Sequence, residues 1–135
     1  MFNQLFKKFT RKPVPPLTAT TPAVAVAPRI VEVTDADFAT VVLANPKLTA
    51  VDFWAEWCQP CEIMAAYAEF LARDYADQLV VTALDVDANP QTAEQYTIMG
   101  LPTLLFFQNG VEVERVVGIE AYQTIQARVE RLLAA

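Results

Sequence analysis

Residues 48–55, LTAVDFWA, limit the possible folds more than any other stretch. They form a near-continuous apolar run, the pattern of a strand buried on both faces of its sheet. Such a strand needs a covering layer on each side. One acid, Asp52, interrupts the run, and an ionised carboxylate is costly in apolar surroundings. The next residues, EWCQPCEIM, hold the chain's only two cysteines, Cys58 and Cys61.

The flanking sequence alternates in period. RIVEV (29–33) reads as a short strand. Thr34 and Asp37 resemble a capping box, with Asp in place of Glu, opening a helix that runs to about Leu43. From Cys61 onward, Ile63, Met64, Tyr67, Phe70 and Leu71 recur at helical spacing. LVVTALDVD (79–87) is a second buried strand, and PQTAEQYTI (90–98) holds a short helix. TLLFF and VEVERVV flank QNG, where Asn-Gly predicts a hairpin turn. Tyr122, Ile125, Val129 and Leu132 form the stripe of a last helix. The order β-α-β-α-β-α-β-β-α describes an α/β fold: a mixed central β-sheet with helices on both faces, parallel where strands and helices alternate and antiparallel at the late hairpin.

Composition narrows the chemistry. Histidine is absent, which excludes Ser-His-Asp and Cys-His catalysis and any His-ligated metal. Two cysteines alone make neither a four-cysteine zinc site nor a disulfide framework. No apolar stretch is long enough to span a bilayer. Chemistry must therefore come from thiols or carboxylates, and no metal or cofactor is expected.

A Cys-X-X-Cys at a helix start has a physical logic. The N-terminal end of the helix dipole favours an anion, so the Cys58 thiol is expected to be more acidic than a free one. Cys61, one turn deeper, is shielded yet within reach. Pro60 limits the backbone and helps to start the helix. Thiolate Cys58 would attack a substrate disulfide, and Cys61 would then resolve the mixed disulfide by attacking the Cys58 sulfur. Without histidine, Asp52 is the candidate base for the Cys61 proton. Its apolar neighbours favour burial, which raises its pKa toward neutrality. A bare Cys-X-X-Cys also suits half a metal site or two inert core thiols, and an acid at an exposed strand end would have no role. The placement of the pair between a strand and a helix favours redox chemistry.

VDFWAEWCQPCEIM closely resembles the active-site region of the thioredoxin family, usually written Trp-Cys-Gly-Pro-Cys-Lys. The resemblance continues through LDVDANP, YTIMGLPTLLFFQNG and VVGIEA, and covers essentially residues 30–135. It implies a thioredoxin fold and a protein-disulfide reductase, an electron carrier of cell redox homeostasis that needs no bound cofactor. It further implies Cys58 as nucleophile, Cys61 as resolving thiol and Asp52 as the buried acid that assists deprotonation. Trp57, Gln59 and Pro60 would flank the reacting sulfurs. Pro102 matches the family's cis-proline, Leu101 offers a backbone edge where a substrate peptide could pair as an added strand, and Gly118 lies beside the groove where a side chain would obstruct approach. The partners implied are disulfide-containing proteins and a thioredoxin reductase.

Four residues depart from the family pattern. Gln59 replaces the usual glycine and stiffens the dipeptide between the cysteines. Glu62 replaces the usual lysine, placing negative charge near the thiols. Ala83 stands where a lysine often accompanies the buried acid, so Asp52 lacks that counter-charge. Ala66 replaces a common kinking proline, so the helix is expected to be straighter.

Charge divides the chain. Residues 1–29 carry Lys7, Lys8, Arg11, Lys12 and Arg29 with no acid, while the remainder holds five basic and sixteen acidic residues, a net −11. An acidic body does not suit nucleic acid, whose affinity rests on basic contacts to phosphate. Residues 1–12, with Phe2, Leu5, Phe6 and Phe9 at helical spacing, fit either a solvated tail, a targeting segment or an amphipathic helix on an anionic membrane surface. Residues 13–28, with prolines at 13, 15, 16, 22 and 28, form a linker able to span roughly 50 Å. Residues 29–135 form the domain, expected to be a monomer in a reducing cytoplasm, with possible peripheral membrane contact through residues 1–12. Two other readings stand beside the reductase: a membrane-surface-attached thiol oxidoreductase with restricted substrates, and a redox-silent binding module using the groove around Trp57 and Pro102.

Overall fold

The computed structural model describes residues 30–135. The N-terminal amphipathic segment, the linker and the domain boundary at residue 29 lie outside the described residues. Five strands form one sheet in the order β1-β3-β2-β4-β5: β1 is Val31–Glu32, β2 Leu48–Trp54, β3 Leu79–Asp85, β4 Thr103–Gln108 and β5 Val111–Val117. Four helical elements complete the domain. They are α1, a π-helical turn at Ala39–Leu43, then α2 Cys61–Asp74, α3 Pro90–Gln95 and α4 Tyr122–Ala134.

The apolar run 48–54 becomes the central strand, buried along its length apart from the half-buried Trp54. Period-2 alternation sends its side chains to two cores. Leu48 and Ala50 join Leu79, Val81, Leu104 and Phe106 under α2 and α4, against Met64, Ala68, Leu71, Ile125 and Val129. Val51 and Phe53 join Leu84, Leu105 and Phe107 on the opposite face, against Phe38 and Val42. Truncating one of the buried phenylalanines would cost about 3–5 kcal/mol.

Strand direction differs in one place from the sequence expectation. β1 and β2 both run parallel to β3, but the reversal comes at β4, which is antiparallel to β2, before the hairpin. A six-residue α3 is only about 9 Å long, whereas seven residues of β3 span about 23 Å. The helix covers less than half that distance, and the chain enters β4 at the end where β3 stopped and runs back. This leaves residues 97–102 at the same end as the loop following β2.

The hairpin forms as its sequence predicts: Asn109 and Gly110 both have positive φ, 52° and 81°, as a two-residue primed turn requires. The capping box at Thr34 also forms. The Asp37 carboxylate accepts the Thr34 N–H at 2.7 Å, and the Thr34 hydroxyl accepts the Asp37 N–H at 3.3 Å. It opens only a turn and the five-residue α1, a shorter element than expected. A second acid in this region, Asp35, reaches across to α3. Its carboxylate accepts the N–H and hydroxyl of Thr92 at 2.8 and 2.6 Å and the N–H of Gln91 at 3.2 Å, capping that helix from a distant loop. Burial opposes ionisation of Asp35, but these bonds outweigh it and hold its pKa below the usual value.

α2 runs unbroken through Ala66. Ile63, expected on its apolar stripe, is 47% exposed and turns away from the sheet, while Met64, Ala68 and Leu71 make the contact.

Candidate active site

The end of β2, the head of α2 and the segment before β4 meet at one edge of the sheet. Cys58 and Cys61 form a disulfide there, with Cα atoms 5.4 Å apart. The turn holding them is built by local carbonyls. The Cys61 N–H donates to Cys58 O at 3.2 Å, that of Glu62 to Gln59 O at 3.0 Å and that of Ile63 to Pro60 O at 3.1 Å. These bonds occupy N–H groups of the first turn of α2, so what remains to favour a Cys58 anion is the alignment of the helix peptides. Both cysteines are nearly closed off, 6% and 4% exposed, and pack with Ala55 against Trp54, Val86 and Leu101. Gln59 and Pro60 are exposed at the tip of the turn.

In front, beside Trp57 and Leu101, lies an open and mainly apolar cavity of about 550 Å³, lined also by Val86, Ala93, Ile98 and Met99, with Glu94 its one acid. Trp57 is 69% exposed and is held by its indole N–H, which donates to Asp87 at 2.9 Å. Asp87 was legible in the sequence only as part of LDVDANP. Met99, 88% exposed, adds an apolar surface that no periodicity signals. The Leu101–Pro102 peptide bond is cis. The Pro102 carbonyl accepts the Gly118 N–H at 2.8 Å, joining those two positions. Gly118 has φ of 79°, and a Cβ placed on it would meet no atom within 4 Å. The glycine therefore answers to backbone conformation, and a side chain there would project into open space.

Behind the disulfide lies a cavity of about 480 Å³ with a different lining. Ile30, Glu32, Asp52, Glu56, Glu62, Ala65, Glu69 and Ala83 border it, together with both cysteines. No lysine or arginine is among the described residues that line it. Asp52 is 2% exposed, and its Oδ1 finds no hydrogen-bond partner in the protein. Burial, and secondarily the negative charge of Glu32, pushes its pKa up to about 7. Alternation along β2 directs Asp52 to the α2 face, so it shares this cavity with Cys61. Asp52 is signalled by its place in the apolar run, whereas nothing local signals Glu32, because their relationship depends on strand register.

This geometry supplies a reversible disulfide, a buried carboxyl able to exchange a proton near neutral pH, and an apolar face for a partner. Comparison with known proteins agrees. Residues 29–131 match the family model described as Thioredoxin. The chain is 48% identical to the thioredoxin of Mycobacterium tuberculosis over 88 residues, covering 65% of this chain and 76% of that one. It is 43% identical to a Staphylococcus aureus thioredoxin over 104 residues, covering 77% and 98% respectively. The chain belongs to the thioredoxin family, whose members are protein-disulfide oxidoreductases, and its Cys58–Cys61 pair provides for dithiol–disulfide exchange.

Proposed function

We propose that Cys58 attacks the substrate, Cys61 resolves, and Asp52 takes the resolving proton. In the reduced protein the Cys58 thiolate attacks one sulfur of a substrate disulfide. The substrate S–S bond breaks, a Cys58–substrate bond forms, and the other substrate sulfur leaves as a thiolate that takes a proton from solvent. The Cys61 thiol then passes its proton to the Asp52 carboxylate as its sulfur attacks Cys58. The mixed disulfide breaks, releasing the second substrate sulfur, and two electrons have passed from the protein to the substrate. The observation that carries this reading is one cavity shared by Cys61 and a buried, unpartnered carboxyl.

Trp57, Gln59 and Pro60 form the rim the substrate meets. Leu101 offers its backbone for strand addition beside Pro102, and the bare Gly118 leaves room for the incoming chain. Thioredoxins as a family act on protein disulfides and are recharged by thioredoxin reductase. For this chain we assign the same exchange, as a monomer in a reducing cytoplasm, with residues 29–135 as the redox domain. Reduction of insulin disulfides with dithiothreitol as donor tests the assignment. Activity lost in Cys58→Ser, with a trapped mixed disulfide in Cys61→Ser, is the expected result. A wild-type rate equal to background rejects it.

The acid-free sequence of residues 1–12 and the Pro-rich residues 13–28 favour one addition, a basic segment on a spacer that holds the domain near an anionic membrane. No helix among the described residues is long and apolar enough to cross a membrane. Flotation with phosphatidylserine vesicles tests the addition: the full chain should rise with them, and a Lys7, Lys8, Arg11, Lys12→Gln variant should not. Equal partitioning removes the idea.

A further inference from the structure

Strand register places a second acid in line with Asp52. Glu32 of β1 pairs with Ala83 of β3, and Ala83 pairs in turn with Asp52 of β2. In-register neighbours point to the same face of a sheet, so Glu32 and Asp52 stand on either side of Ala83, with Cα atoms about 10 Å apart. Ala83 contributes only a methyl group between them. Both carboxyl groups line the rear cavity with Cys61, and Glu32 is exposed where Asp52 is buried.

We propose that Glu32 is a positioning residue for the exchange reaction, acting through Asp52: its carboxylate, facing Asp52 over Ala83, sets the pH at which Asp52 accepts the Cys61 proton. This inference rests on the assignment of Asp52 as the proton acceptor. The titratable groups that line the cavity with Asp52 are Glu32 from β1, Glu56 from the loop after β2, and Cys58, Cys61, Glu62 and Glu69 from the turn and α2. All are acids or thiols, so nothing described there offsets the repulsion between two carboxylates. Asp85 lies on the other side of the relationship. After burial, it is the second influence raising the pKa of Glu32. A negative Glu32 disfavours a negative Asp52, so the buried acid holds its proton to higher pH than burial alone would dictate.

The test is the pH profile, from pH 5 to 9, of the rate at which the Cys58 mixed disulfide resolves, followed by rapid quench after the pre-reduced full chain meets excess disulfide peptide, a step in which Cys58 no longer titrates. Wild type should show an inflection near Asp52's value of about 7. Glu32→Gln should move it down by about half a pH unit or more, and Glu32→Lys further, since charge removal and then reversal relieve the repulsion. Glu32→Asp, which keeps the charge, should restore part of the shift. In an Asp52→Asn background the inflection should vanish and Glu32→Gln should have no further effect on the profile. A structural role for Glu32 would instead scale the rate equally at every pH. If Asp52→Asn abolishes the inflection but Glu32→Gln leaves it in place, Glu32 is overturned while Asp52 stands. If the inflection survives in Asp52→Asn, both assignments fail. Glu32 is exposed at a sheet edge, so these variants should fold.

Discussion

The front and rear cavities are similar in volume and differ in the number of acids that line them. The front one presents Trp57, Ile98, Met99 and Leu101, while the rear one presents five acidic side chains. Apolar surface around a nearly buried disulfide suits recognition, since a docking chain removes that surface from water without leaving charges unpaired. The rear cavity suits proton exchange, because burial, and after it the negative charge of Glu32, raises the affinity of Asp52 for a proton. Cys58 and Cys61 line the rear cavity and pack against Val86 and Leu101, which line the front one. The contrast separates two requirements of the same reaction: which substrate is met, and at what pH the exchange completes.

Substitutions can break this contrast or sharpen it. The largest effect belongs to the turn that holds the cysteines. Cys58→Ser should lower insulin reduction by about 10³-fold or more, because the remaining thiol, Cys61, lies within α2 and is 4% exposed. Next comes the rear cavity. Asp52→Asn should slow resolution by about 10²-fold, measured as accumulation of the mixed disulfide in rapid-quench experiments, with little change in KM.

The same substitution should alter stability in a pH-dependent way. Asp52 has a folded pKa near 7 against an ordinary 3.8, so its ionisation disfavours the native state. The penalty is absent below about pH 4, grows through the interval up to 7, and is complete above it, reaching about 4 kcal/mol. Wild type should therefore be more stable to urea at pH 5 than at pH 8. Asp52→Asn should lose that slope and exceed wild type at pH 8.

The front cavity should respond differently. Trp57→Ala should raise KM for a protein disulfide by about 10-fold through lost apolar contact, with kcat and its pH inflection largely retained. A pH shift in that variant would show that the two cavities are not separable. The smallest effect should come from Gly118→Ala. A side chain at φ 79° should cost about 1–2 kcal/mol of stability in urea unfolding, and the new methyl group should raise KM modestly.

Much of this site could be read from the sequence because its signals are local. The 48–54 run, Cys58-X-X-Cys61 and the acid at 52 lie within fourteen residues, and burial of the run fixes burial of Asp52. The Asn109–Gly110 turn is likewise set by the φ values its residues tolerate. What escaped the sequence is what register decides. Glu32 lies twenty residues from Asp52, and only the pairing of both strands with β3 brings them into one row. The reversal at β4 depends on how far α3 carries the chain, which periodicity does not encode. Ile63 shows the limit of periodicity itself: its spacing is helical, yet rotation of α2 about its axis is fixed by Met64, Ala68 and Leu71, and Ile63 falls outside the contact.

β1 is only two residues long and sits at the margin of the sheet, yet it carries Glu32. Its attachment is completed by the Val33 N–H donating to Ala83 O at 2.9 Å and by Asp35 gripping the start of α3. Val33 is also 1% exposed in the core with Val51 and Leu84, so the ribbon would come away only with loss of that contact. Each peeling event would carry away the outer charge and leave the enclosed acid briefly with less repulsion. Amide exchange at Val33 would then keep time with the protein's moments of altered basicity, linking a mechanical fluctuation at the rim to the speed of sulfur chemistry in the centre.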